Sequence, residues 1–231
     1  MKIVLVKAIN FSHQVVPPIS LGFIASTARK KGFNNIKILD CLKENMSFED
    51  FKEYVKKEKP DVMGFQIFSY DLEAVKKHLK ILKKFSPKTI AVGGGVHPTA
   101  EPKQTMEYLK DMDYVITGEA EYSFCSFLKE LSKGHGTISE KEKKRIPGLC
   151  WKSKKEVVVN AFNLPEDLDE IENDFVKPFN IPVGKVILMP EGRNVEVLRE
   201  HSQAVAEYAK NKGYRLLGRL QIELWGDVRK T

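Results

Sequence analysis

A chain of 231 residues with 42% hydrophobic and 30% charged side chains can bury a real core, and none of its apolar runs approaches the roughly 18 residues of a membrane span. The net charge of +7 is carried by short mixed runs such as Lys56-Lys57-Glu58-Lys59, without interleaved aromatics, so solvated helix faces are expected rather than a nucleic-acid surface. Met1-Lys2 leads straight into a short apolar run unlike a secretory signal, and the three scattered cysteines Cys41, Cys125 and Cys150 suit neither a disulfide framework nor a metal signature; a reducing, cytoplasmic setting is expected.

Short apolar runs then alternate with helical patterns. Strands are predicted at Ile3-Val6, Ile36-Leu39, Val62-Ile67, Ile90-Val92 and Tyr114-Ile116. A first helix over about Ser20 to Lys31 stops at Gly32, a second opens after Ser47 with Asp50 three positions on, and a third over about Leu72 to Lys84 places Leu72, Val75, Leu79 and Leu82 on one face. Five parallel strands with helical crossovers make an α/β fold, a flavodoxin- or Rossmann-like doubly wound sheet. Ligands of such sheets bind beyond the carboxyl ends of the strands, so the loops there are the candidate site. These loops hold Asn10-Phe11-Ser12-His13 and Pro17-Pro18-Ile19-Ser20-Leu21-Gly22, then Phe68-Ser69-Tyr70-Asp71, then Gly93-Gly94-Gly95-Val96-His97-Pro98-Thr99, then Thr117-Gly118-Glu119-Ala120-Glu121. Three glycines at a strand end allow a ligand to approach the backbone closely and expose its N–H groups.

Beyond residue 133 the pattern turns charged and irregular, and a small hairpin is expected from Trp151 and the Val157-Val159 run. The polar, proline-marked stretch Asn163-Leu164-Pro165-Glu166-Asp167 marks a linker. A C-terminal β-α-β segment follows: a strand at Lys185-Met189, a helix from about Val195 to Lys212 ended by Gly213, and a strand at Arg219-Leu224. The expected division is residues 1–133, a hairpin and linker at 134–172, and a last unit at 173–231. That last unit is too small to bury much core alone, so the Val195, Leu198, Val205 and Tyr208 face should pack against something.

Six short pieces stand in an order that resembles the cobalamin-binding domains at the front of radical S-adenosylmethionine proteins. They are Pro17 to Gly22, Pro60-Asp61-Val62-Met63-Gly64-Phe65, Val92 to Thr99, Gly118-Glu119-Ala120-Glu121, Ile146-Pro147-Gly148-Leu149 and Asp167-Leu168-Asp169-Glu170-Ile171. The resemblance implies cobalamin as cofactor, its corrin ring over the strand ends and its nucleotide tail inserted toward the sheet. Ser69 and Gly93 to Gly95 would line the tail, and Glu119 and Glu121 would meet the amide side chains of the corrin. The implied binding set is Pro17, Leu21, Gly22, Phe68, Ser69, Gly93, Gly94, Gly95, His97, Gly118, Glu119 and Glu121, with His97 packing or hydrogen-bonding. The Asp-x-His-x-x-Gly signature of the methionine-synthase type is absent, and His13, though in the first loop, has other neighbours, so an exposed loop histidine is the expectation there.

A second resemblance begins near Val183, where Val183 to Gly192 and the ending Arg219 to Asp227 look like the C-terminal fifty residues of the 7-carboxy-7-deazaguanine synthase family, also radical enzymes. Radical chemistry of that kind needs a Cys-x-x-x-Cys-x-x-Cys loop for its iron–sulfur cluster, and this chain has none. No metal site, no iron–sulfur cluster and no catalysis by this chain alone are expected. Two functions stay open. One is a cobalamin-binding module whose radical chemistry is supplied elsewhere; the other is a fragment or subunit that completes a deazapurine-forming radical enzyme through residues 183–231, with another chain or by self-association. A nonfunctional fusion product is the third reading.

Overall fold

The computed structural model describes residues 1–9, 17–154, 156–162, 182–185, 187–188 and 195–218. Two compact units divide the chain, Met1–Ile171 and Glu172–Thr231.

In the first unit β1 (Ile3–Lys7), β2 (Ile36–Asp40), β3 (Val62–Gln66), β4 (Ile90–Gly94) and β5 (Tyr114–Ile116) pair in parallel in the order 2-1-3-4-5. The order reverses between β1 and β3, which is the switch point where such sheets open a crevice. The helices are α1 (Ile19–Lys30), α2 (Phe48–Glu58), α3 (Leu72–Phe85), α4 (Val96–Ala100), α5 (Pro102–Tyr108), α6 (Ala120–Lys133) and α7 (Glu140–Lys143). Local chemistry explains their limits. Ser47 Oγ accepts from the Asp50 N–H while the Asp50 carboxylate accepts from the Ser47 N–H, a reciprocal cap that starts α2. Gly32, at φ +93°, supplies the left-handed turn after α1.

Strand alternation sorts the core into two layers. Val4, Val6, Met63, Phe65 and Ala91 pack with Phe51, Val75, Leu79, Leu82 and Met106 on one face. Ile3, Leu5, Val62, Val92 and Ile116 pack with Leu21, Ala25, Phe124, Phe127 and Leu128 on the other, where α1 lies against α6.

The expected five-stranded sheet has seven strands. The hairpin is real, with β6 (Leu149–Lys152) and β7 (Val157–Val159), but it is not a separate appendage. β6 pairs antiparallel with β5 through Tyr114↔Trp151, Val115↔Cys150 and Ile116↔Leu149, and so extends the sheet. The reason is physical: an uncovered β5 would present a row of unpaired backbone groups, and β6 covers them while burying Leu149, Cys150 and Trp151. The Trp151 indole N–H donates to the Glu140 carboxylate at 3.1 Å.

The second unit contains the expected β-α-β order among its described residues. β8 (Ile187–Leu188) runs parallel to β9 (Arg215–Leu216), with α8 (Val195–Lys212) between them in sequence. The strand expected at Lys185–Met189 is narrower here, since Val183–Lys185 forms a 3₁₀ turn. Among the described residues β9 stands at Arg215–Leu216; Arg219–Leu224, where the last strand was expected, lies outside the described residues. Of the apolar face read on α8, Leu198 is buried and Val195, Val205 and Tyr208 are half-buried.

Candidate functional site

At the carboxyl end of the sheet, on its α1/α6 face, a slot of about 480 Å³ opens beside the switch point. That size falls in the range of about 300–1,000 Å³ typical of small-molecule sites. The floor is made by the strand residues that face α1 and α6: Leu5, Gly64, Val92, Gly94 and Ile116. Two of these five have no side chain: the room beside Gly64 is taken by Leu5, whose Cδ2 would stand 2.8 Å from a Cβ there, whereas a Cβ on Gly94 would meet nothing nearer than 3.5 Å, so Gly94 leaves the floor open. Leu21 and Ile24 of α1 form one wall, and Phe124 of α6 belongs to the other.

The rim is held by cross-links between loops. Gln66 Nε2 donates to Ser20 Oγ at 2.7 Å, tying the end of β3 to the start of α1. Thr99 Oγ1 donates to the Gly95 carbonyl at 2.8 Å and accepts from the Gly118 N–H at 3.0 Å, joining the loops after β4 and β5. The Phe68 N–H donates to the Asp71 carboxylate at 3.2 Å, ordering the loop after β3. Glu121, on the first turn of α6, is 9% exposed, and its Oε2 is buried without a hydrogen-bond partner. Burial pushes its pKa up, and the neighbouring Glu119 charge adds to the shift.

Of the residues singled out from sequence, Leu21, Gly94, Gly95, Gly118, Glu119 and Glu121 line this slot together, and Gly93 borders it with its backbone alone. Ser69 and His97 line a second hollow of about 390 Å³ with Tyr70, Leu72, Glu73, Gln104 and Tyr108. There Ser69 Oγ and His97 Nδ1 are hydrogen-bonded at 3.0 Å, and His97 Nε2 is buried without a partner. Pro17, Gly22 and Phe68 line neither space; Phe68 stacks on Tyr70 with ring centroids 5.4 Å apart. His13 and the rest of its loop, residues 10–16, lie outside the described residues, as do Pro190 to Gly192 and Trp225-Gly226. Sequence reasoning missed Gly64, Gln66, Val92, Ile116 and Phe124 as site residues. Gly64 carried a usable signal, because a glycine inside an otherwise bulky buried strand marks a close approach.

The three glycines of the β4 loop have different reasons to be glycine. A Cβ on Gly93 would stand 2.9 Å from Ile67 Cδ1 and 3.2 Å from Met112 Cε, on the face away from the slot. On Gly94 it would meet nothing nearer than the Ile116 carbonyl at 3.5 Å. Gly95 has φ +115°, and a Cβ there would stand 3.0 Å from the Ile67 carbonyl oxygen. Gly95→Ala is therefore expected to destabilise the fold by about 1–3 kcal/mol. Gly22→Ala, in α1 with open space around the added methyl, should stabilise it by about 0.5–1 kcal/mol. Chemical denaturation of the two variants checks both signs.

The cysteines are free and buried, and burial pushes their thiols up, to about 12 for Cys41 and about 11 for Cys125 and Cys150. Such thiols are poor metal ligands, which bind as thiolates. Among the described residues no three His, Cys, Asp or Glu side chains stand close enough to hold a metal, and no helix is long and apolar enough to cross a membrane.

Comparison with known proteins matches residues 7–128 to the family described as the B12 binding domain. An uncharacterized methyltransferase of Pyrococcus horikoshii is 30% identical over 180 residues, which cover 74% of this chain and 38% of that protein. The chain thus spans little more than a third of this curated relative. A solved structure of the cobalamin-dependent S-adenosylmethionine radical enzyme OxsB, with aqua-cobalamin and S-adenosylmethionine bound, superposes with a TM-score of 0.61 at 15% identity, over 94% of this chain and 34% of that one, a likeness of fold. The 7-carboxy-7-deazaguanine synthase of Pyrobaculum aerophilum is 37% identical over 73 residues, 32% of this chain and 31% of that enzyme, so this second resemblance is limited to a minor part of each.

Proposed function

The chain belongs to the B12-binding domain family, with cobalamin as its cofactor, and we propose that it is the cobalamin-holding part of a radical S-adenosylmethionine protein whose cluster-bearing part lies outside these 231 residues. The observation that carries this reading is the slot at the β1/β3 switch point, with Gly64 and Gly94 in its floor. Cobalamin has a broad corrin ring and a nucleotide tail ending in a flat aromatic base. A narrow apolar space floored by two residues without Cβ atoms fits the flat base, and the exposed strand-end loops above it fit the ring.

Cobalamin, when bound, supplies a cobalt centre able to carry a methyl group. The tasks of this chain are to bind and to orient. Leu21, Ile24 and Phe124 exclude water from the tail, the Gln66–Ser20 and Thr99–Gly118 bonds keep the slot open before the tail arrives, and the Glu119 carboxylate and the backbone of residues 118–120 meet amides at the rim. The likeness to a methyltransferase about twice as long supports chemistry completed by a further domain or partner. Three free, buried cysteines support a reducing setting, the cytoplasm. The deazaguanine synthase likeness covers too little of the chain to put that alternative ahead.

Titration of the purified chain with hydroxocobalamin, followed by gel filtration, tests the reading. The corrin absorbance should saturate at one equivalent and travel with the protein. A corrin band that elutes apart from the protein would overturn it.

A further inference from the structure

Among the described residues that line the slot, Glu121 carries the buried side-chain polar atom without a hydrogen-bond partner. Gln66 is bonded to Ser20, and the Thr99 hydroxyl has both a donor and an acceptor partner. The Glu121 carboxyl lines the same space, nine-tenths buried, and its Oε2 meets no partner. The first turn of α6 and the residue's own backbone N–H favour an acid at this place, but Oε2 gains no partner from them, and leaving a buried polar atom unpaired costs about 1–3 kcal/mol. Burial favours the protonated form, its own backbone N–H opposes it and the Glu119 charge adds to the first; in that form the group offers one O–H donor and one carbonyl acceptor.

Resting on the reading that the nucleotide tail of cobalamin enters this slot, we infer that Glu121 is a specificity residue for the tail: its carboxyl O–H donates a hydrogen bond to the free ring nitrogen of a benzimidazole-type base. That nitrogen is the atom that in free cobalamin can coordinate cobalt from below, so the hydrogen bond competes with the metal and keeps the base in the slot. A corrinoid whose lower base lacks such a nitrogen, or lacks the tail altogether, loses this contact.

The test compares two corrinoids, hydroxocobalamin and dicyanocobinamide, the second having the corrin without the nucleotide tail. Each is titrated by absorbance against the wild type, Glu121→Gln and Glu121→Leu, with a thermal melt of every variant to show that it is folded. The wild type should prefer hydroxocobalamin. Glu121→Gln keeps an N–H donor and should bind it within about threefold of the wild type, whereas Glu121→Leu should lose about tenfold or more with no change toward cobinamide. Equal losses for both corrinoids would overturn the assignment by placing Glu121 against the corrin, as would unchanged hydroxocobalamin binding by Glu121→Leu or a loss in Glu121→Gln as large as in Glu121→Leu. A wild type that binds neither corrinoid overturns the functional reading itself, a result distinguishable from all of these.

Discussion

Gly94→Val should abolish most of the affinity for hydroxocobalamin and leave the fold standing. The residue lies on a strand, where a β-branched side chain is conformationally welcome, and a Cβ there makes ordinary contact with the Ile116 carbonyl at 3.5 Å. The methyl groups beyond it would enter the slot that Gly94 now leaves open. Overfilling a packed space costs about 1–3 kcal/mol, so about a ten- to hundredfold rise in Kd is expected, with little change in the melting midpoint. Gly93→Ala is the opposing control. Its Cβ would press on Ile67, Met112 and Val115 on the other face of the sheet, so stability should fall by about 1–3 kcal/mol while the affinity of the folded fraction is kept. Absorbance titration beside thermal melting separates the two. Wild-type affinity in Gly94→Val would show that the tail lies elsewhere.

Mild acid should destabilise the domain through His78. This residue of α3 is 0% exposed; its Nδ1–H donates to the Ala74 carbonyl at 2.7 Å, and its Nε2 is buried without a partner. The rings of Phe48, Phe51 and Phe65 surround it at 5.0, 4.4 and 6.2 Å. Burial pushes its pKa down to about 4 from the ordinary 6.5. Above pH 6.5 the imidazole is neutral in both states and its contribution to stability is fully present. As the pH falls, the unfolded chain takes up a proton that the folded one refuses until about pH 4. The loss should reach about 2 kcal/mol at pH 5 and about 3 kcal/mol at pH 4. Glu121, with its raised pKa, acts in the opposite direction, since it favours the folded state as the pH falls toward the ordinary carboxylate range. The lowered pKa values of Asp50, Glu53, Glu58, Glu140 and Glu142 add losses only at still lower pH. The histidine part is therefore read as the difference between wild type and His78→Phe in urea denaturation from pH 7 to pH 5. A difference that stays constant over that range would sink the account.

The five parallel strands and the main helices were legible because each depends on local pattern: buried β-branched runs, a 3.6-residue apolar stripe on α3, the Ser47–Asp50 cap and the Gly32 stop. The rim loops were legible for the same reason, since topology places the loops after parallel strands at one end of the sheet. His78 was not. On the α3 helix it reads as one more polar residue among lysines, and only the packing of α3 against α2 and β3 puts its ring among three phenylalanines.

The same division runs through the candidate site. Sequence alone determined which loops could form it, and it marked Gly93, Gly94 and Gly95 because a glycine run at a strand end is a local signal, while Glu119 and Glu121 were marked through the family resemblance. It could not assign them separate tasks. Only the tertiary structure decided that Gly94 faces the slot while Gly93 packs behind it, that Ser69 and His97 belong to a different hollow, that the hairpin closes the edge of the sheet, and that Gly64, distant in the chain, completes the floor. The physical reason is that a strand residue's face is a matter of register with its neighbours and of the helices laid across them, and both are set by contacts between segments far apart in sequence.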